Sequence, residues 1–155
     1  VAKPTHADAE LLLHLYEIRR EPELRQARKW LLTEFKSTTW AEVKARYLSH
    51  VDEDRWFRMA TGYWEMVATV VNRGTLHAEL FFDHTGEDIA TWDRIKGVIP
   101  DARADIRPTY LIQFEKLVAA HQAYRKLTTA QALAGRGGAA AAPGSSPRRR
   151  ARKSG

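Results

Sequence analysis

The sequence predicts an all-α protein: a single small bundle of about six helices followed by a disordered basic C-terminal tail. Three observations carry this reading. Apolar residues recur with the 3.6-residue period from Leu11 to Tyr124, no stretch alternates with period two over a strand's length, and capping residues, prolines and glycines fall between the periodic segments. A chain of 155 residues that is 44% hydrophobic can bury a core without metals or disulfides. The expected organisation is a flexible N-terminus at 1–7, a helical domain at 8–134 and an Ala/Gly/Pro-rich tail at 135–155.

The first helix is expected from an N-cap at Asp8, with Leu11, Leu12, Leu15, Tyr16 and Ile18 as its stripe. Pro22 costs little in a first turn and much in an interior, so a break or kink is expected at Arg20–Pro22. The next helix buries Leu24, Ala27, Trp30 or Leu31, and Phe35. In STTWAEV, Thr39 and Glu42 have the spacing of a capping box, opening a helix that buries Trp40, Val43 and Tyr47 and runs to about Ser49. The strongest helix follows the acidic start Asp52–Asp54 and ends at Asn72-Arg73-Gly74. Trp56, Ala60, Tyr63, Val67, Val70 and Val71, flanked by Phe57 and Trp64, make its apolar arc unusually wide, as suits a central helix. Gly74 fits the left-handed position after its C-terminus. A short helix spans about Leu76 to His84, and another runs from Glu87 to about Val98 with Ile89, Trp92 and Ile95 inward. GVIPDARADIRP reads as a loop. The last helix starts at Pro108, buries Tyr110, Leu111, Phe114, Leu117, Val118 and Tyr124, and frays past Leu127.

The only stretch dense in chemistry-bearing residues is LHAELFFDHTGED, residues 76–88. On a helix His77 and His84 point the same way but stand about 10 Å apart along the axis. One zinc ion needs donors about 2 Å away, so a compact pair sits at i and i+3 or i+4. Glu79 and Asp83 have that spacing but face elsewhere, and Gly86 interrupts the pair His84 and Asp88. The stretch therefore reads as a helix-turn-helix junction in which Glu79, Asp83, Glu87 and Asp88 line solvent and cap the next helix, with no metal and no cofactor expected. Glu65 lies opposite the core arc and reads as a surface or inter-helix ion pair rather than a catalytic carboxylate. His14, His50 and His121 are isolated and read as packing or rim residues. Without cysteine there is no disulfide, thiolate ligand or cysteine nucleophile, and neither a GxSxG motif nor a glycine-rich phosphate loop is present.

The net charge of +6 is entirely C-terminal. After Gly135 come Arg136, Arg148, Arg149, Arg150, Arg152 and Lys153 with no acid. Removing those 6 from the 25 Lys and Arg leaves 19, equal to the 19 Asp and Glu. The apolar run Met66–Val71 is too short to span a bilayer. VAKPTHADAE has no hydrophobic segment of the signal-peptide kind, and the expected setting is cytoplasmic.

The pieces LYEIRREPELRQARKWL, GYWEMVATVVNRGTLHAELFFDHTGEDIATWDRI and YLIQFEKLV, within residues 9–118, resemble an uncharacterised bacterial all-helical family, the domain of unknown function forty-seven sixty. Tyr63-Trp64-Glu65, Arg73-Gly74, Leu80, Gly86, Trp92 and Phe114-Glu115 carry the resemblance; Asp88 and Thr91 stand where it implies more apolar residues, and the basic tail is additional. The resemblance implies a fold and not a reaction.

Three functions compete. The first is a non-enzymatic helical protein-interaction or regulatory module acting through an unknown protein partner. The second is a nucleic-acid-associated protein whose Arg148, Arg149, Arg150, Arg152 and Lys153 bind phosphate weakly and without sequence preference, set against a merely solvated tail. The third is an enzyme using Asp83, His84 and Asp88. A patch of Arg19, Arg20, Arg25, Arg28 and Lys29 is a further candidate contact for an acidic partner, or simply a solvated face. Oligomeric state is not legible.

Overall fold

The computed structural model describes residues 2–139, with side chains placed to Gly135. Among these residues the fold is all-helical, with eight α-helices: α1 (His6–Arg19), α2 (Pro22–Thr33), α3 (Trp40–Val43), α4 (Val51–Asn72), α5 (Ala78–His84), α6 (Glu87–Ile95), α7 (Ile99–Asp105) and α8 (Ile112–Ala139). A π-helical segment, Lys44–Leu48, continues α3. The count exceeds the expected six: each segment read as helical is present, and one more is added. In particular, 99–105 is helical where a loop was expected. Pro100 falls in the first turn of α7, where its missing N–H costs nothing. Conversely, Pro108 does not open α8: turns at 108–111 and a left-handed Leu111 (φ 52°) delay that helix to Ile112. It then continues through Ala139, well past Leu127.

Local chemistry explains the boundaries. Thr5, not Asp8, is the N-cap of α1; Asp8 is the reciprocal acid of the capping box, taking the Thr5 amide at 2.7 Å. The helix therefore begins at His6, inside the stretch read as a flexible N-terminus. Glu21 caps α2 through the Leu24 amide at 2.8 Å, and Pro22 is in its first turn. Thr39 and Glu42 form the predicted capping box. At the end of α4, Gly74 is left-handed (φ 73°). Its amide bonds Val71 O and the Thr75 amide bonds Val70 O, the pairing that closes a helix through a left-handed glycine.

Helices α2, α4 and α8 form the frame, with α4 packed between the other two. The α4 core face is centred on Phe57, Ala60, Trp64, Val67, Ala68 and Val71, rotated slightly from the sequence-read arc, so Trp56 and Val70 lie at its edges. One end of the core is an aromatic cluster in which Trp30 meets Tyr47 edge-on at 5.2 Å and Phe35 lies 5.7 Å from Phe57. At the other end Trp64 stacks on Phe114, and Trp92 meets Phe114 edge-on. Helix α1 buries only Leu15 fully and lies against α2, α4 and α5. No helix among the described residues is long and apolar enough to cross a membrane.

Candidate functional site

The 76–88 stretch folds as a junction, as the spacing implied, but its polar residues do not share one environment. His77 is the N-cap of α5, its Nδ1 accepting from the Leu80 amide. His84, at the far end of α5, meets Tyr16 edge-on. Asp83 accepts the Tyr124 hydroxyl at 2.8 Å, an anionic neighbour that raises the tyrosine pKa. Asp83, His84 and Asp88 therefore point to three different partners. No group of three or more His, Asp or Glu among the described residues is arranged to hold a metal ion.

Asp88 corrects the solvent-lining expectation. It is 0% exposed, at the start of α6, and its Oδ2 lies 2.7 Å from Nδ1 of His121 on α8, which is also 0% exposed. Asp88 and Thr91 occupy apolar-looking positions because α6 turns both inward; the aspartate is tolerated there through its histidine partner and the positive end of its own helix. The other ring nitrogen of His121, Nε2, lies 3.1 Å from Phe82 O and 3.1 Å from Nε of Arg125. One nitrogen cannot both donate to the carbonyl and accept from the guanidinium, so the proton on His121 selects between them. Arg125 also donates to Thr85 O and packs over Gly86, where a Cβ would collide with the guanidinium.

A second cluster lies beside it. Glu87 takes both a bidentate contact from Arg28 and a 3.0 Å contact from Arg19, and these side chains are only 13–17% exposed. Arg28 further donates to Arg19 O at 2.7 Å. The candidate basic patch is thus broken: Arg19 and Arg28 turn inward onto Glu87, leaving Arg20, Arg25 and Lys29 exposed. Nearby, Tyr63 donates to Leu15 O at 2.9 Å, and burial pushes its hydroxyl pKa up to about 12.

Glu65 is neither an ion-pair member nor free. It crosses from α4 to accept the Gln113 and Phe114 amides at 3.3 and 2.7 Å, satisfying the first turn of α8. It also lines a groove of about 310 Å³ between α4 and the α7–α8 turn, walled by Trp40, Phe57, Tyr110 and Leu111. Of the remaining histidines, His14 and His50 are exposed. Arg148, Arg149, Arg150, Arg152 and Lys153 lie outside the described residues.

The polar pair of Asp88 and His121 was missed although a signal existed. Asp88, Thr91, Trp92 and Ile95 share one face of α6, and Phe114, Leu117, Val118 and His121 share one face of α8. An acid on one apolar stripe and an imidazole on another are natural partners.

Comparison with known proteins gives one family and no individual relative. The model of the family described as Domain of unknown function (DUF4760) matches residues 4–121, slightly more at each end than the resembling pieces. No curated protein and no solved structure matches the chain. The matched span runs from just before the Thr5 cap to the buried His121 and takes in well over half of the sequence, so the chain belongs to the family Domain of unknown function (DUF4760).

Proposed function

We propose that the chain is a non-enzymatic helical protein-interaction or regulatory module. One observation carries this reading: the densest polar cluster is spent on joining helices. Asp88–His121 ties α6 to α8, and Glu87 with Arg19 and Arg28 ties α6 to α1 and α2. A general acid or base must reach a substrate atom within hydrogen-bonding distance, and the Asp88–His121 pair has no exposed surface with which to do so.

The second reading, non-specific nucleic-acid association, rests on the charge arrangement: a formally neutral 1–135 segment followed by six cations. Affinity capture from native extract, using the full chain and a form ending at Ala134, separates the two. Recovery of the same defined proteins by both forms after nuclease treatment supports the module reading. Recovery that requires both the tail and intact nucleic acid supports the second and overturns the first.

A further inference from the structure

The groove between α4 and the turn before α8 combines apolar walls with the guanidinium groups of Arg58 and Arg107. Trp40, Leu48, Phe57, Ile106, Tyr110 and Leu111 give it apolar walls, with Ile106 left 49% exposed at the lip. Its space of about 310 Å³ suits a small organic molecule with a ring-sized body. Apolar walls with a few convergent polar groups are the general composition of such sites.

The polar groups on the groove are mainly donors. Arg107 is exposed and forms no ion pair among the described residues. Arg58 stands beside it, 71% exposed and held by Asp54 at 2.8 Å. The Tyr110 hydroxyl, whose pKa burial raises, is a further donor. The one carboxylate in the lining, Glu65, already accepts two amides at the positive end of α8, which offsets its charge. A group with acceptor oxygens and a negative charge complements this set.

Gly62 is the second, independent observation. It lies in the interior of α4, is exposed, and lines the groove. A glycine there costs about 1 kcal/mol relative to alanine. A Cβ at this position meets nothing within 4 Å, and the residue has no positive φ, so neither backbone geometry nor internal packing requires it. Its bare backbone forms part of the α4 wall of the groove. The left-handed Leu111 on the opposite wall adds a strained backbone of the sort that collects at binding sites.

We propose that this groove is a binding site for a small organic monoanion, a carboxylate or sulfonate on an aromatic or similarly compact apolar body, with Arg107 and Arg58 receiving the charge and Gly62 admitting the body against α4. The site is separate from the protein contacts proposed above and stands or falls independently of them.

The test uses the full ¹⁵N-labelled chain, titrated with 2-naphthoate and with the neutral 2-naphthalenemethanol while amide and indole N–H resonances are followed. Expected are saturable one-site shifts centred on Gly62, Thr61, Leu111 and the Trp40 indole, and binding of the alcohol about tenfold weaker or worse. Arg107→Glu, on an exposed side chain, is expected to weaken 2-naphthoate about tenfold or more. Gly62→Leu is expected to abolish binding, with thermal unfolding showing both variants folded. No saturable shift with 2-naphthoate, or shifts unchanged in both variants, overturns the site. Equal affinity for the alcohol overturns its assignment to an anion.

Discussion

Nδ1 of His121 lies 2.7 Å from Oδ2 of Asp88, and both side chains are sealed from solvent, so α6 and α8 are joined by a buried polar contact. The second aspartate oxygen, Oδ1, has no partner among the described residues. Such a pair is costly to break and cheap to replace. His121→Leu strands a buried carboxylate and should cost about 3–5 kcal/mol. The double variant Asp88→Leu/His121→Leu removes both polar groups and should be more stable than His121→Leu alone. Urea unfolding of the two variants checks the order, and a double variant worse than the single overturns this account of the pair.

Leu111 presents a contest between backbone strain and burial. Its φ of 52° costs about 1–2 kcal/mol for a residue with a Cβ, whereas burying a leucine side chain is worth about 1.5–3 kcal/mol. The side chain is almost fully buried, so leucine wins. Both Leu111→Ala and Leu111→Gly should therefore destabilise, but glycine should be the milder change, reversing the usual helix order. Chemical denaturation of the two variants under one set of conditions measures this. Alanine proving the more stable replacement would remove the strain from the argument.

Glu42 should shape the acid limb of stability. Its carboxylate accepts hydrogen bonds from Thr38 and Thr39 and a weaker one from Ser37, which lower its pKa from 4.5 to about 2. The folded pKa is depressed, so the contribution is complete above pH 4.5 and is lost as pH falls toward 2. Glu42→Gln keeps the acceptor geometry but removes the titration, and should flatten stability against pH across that window. Parallel curves for the parent and variant between pH 4.5 and 2 would contradict it.

Truncation after Ala134 should leave thermal unfolding nearly unchanged, because Leu127 and Leu133 are already exposed and, among the described residues, no core residue lies beyond them. The same change removes six cations. If about five of them neutralise phosphates, the full chain should show a log–log salt slope of about −4 to −5 on duplex DNA, lost on truncation. A lowered melting temperature would show that the tail is docked; an unchanged slope would move the contact to the helices.

The apolar period located α2 and α4 and the buried face of α8, though not the ends of α8, because Trp30, Phe57, Trp64 and Phe114 lie on stripes that only one face of a helix can bury. Shorter elements were less legible. Nothing in GVIPDARADIRP distinguishes a loop from α7 until Ile99 and Ala102 are seen packed inward. The Asp88–His121 pair lies 33 residues apart in sequence, and its partner choice depends on how α6 crosses α8. Arg19 and Arg28 resemble a solvated face by spacing alone; only the position of Glu87, brought beside them by the fold, turns them inward. The α4–α7 groove has no linear signature, since its walls come from Trp40, Phe57 and Tyr110 on separate segments.

The carboxylate of Glu65 couples two helices at one point through two hydrogen bonds. The Gln113 and Phe114 amides have no preceding turn of α8 to bond and rely on a side chain anchored in the middle of α4. Their hydrogens can exchange with solvent only when that carboxylate lets go. Two backbone positions on α8 therefore act as a native gauge of how often it parts from α4, readable proton by proton without any label or substitution.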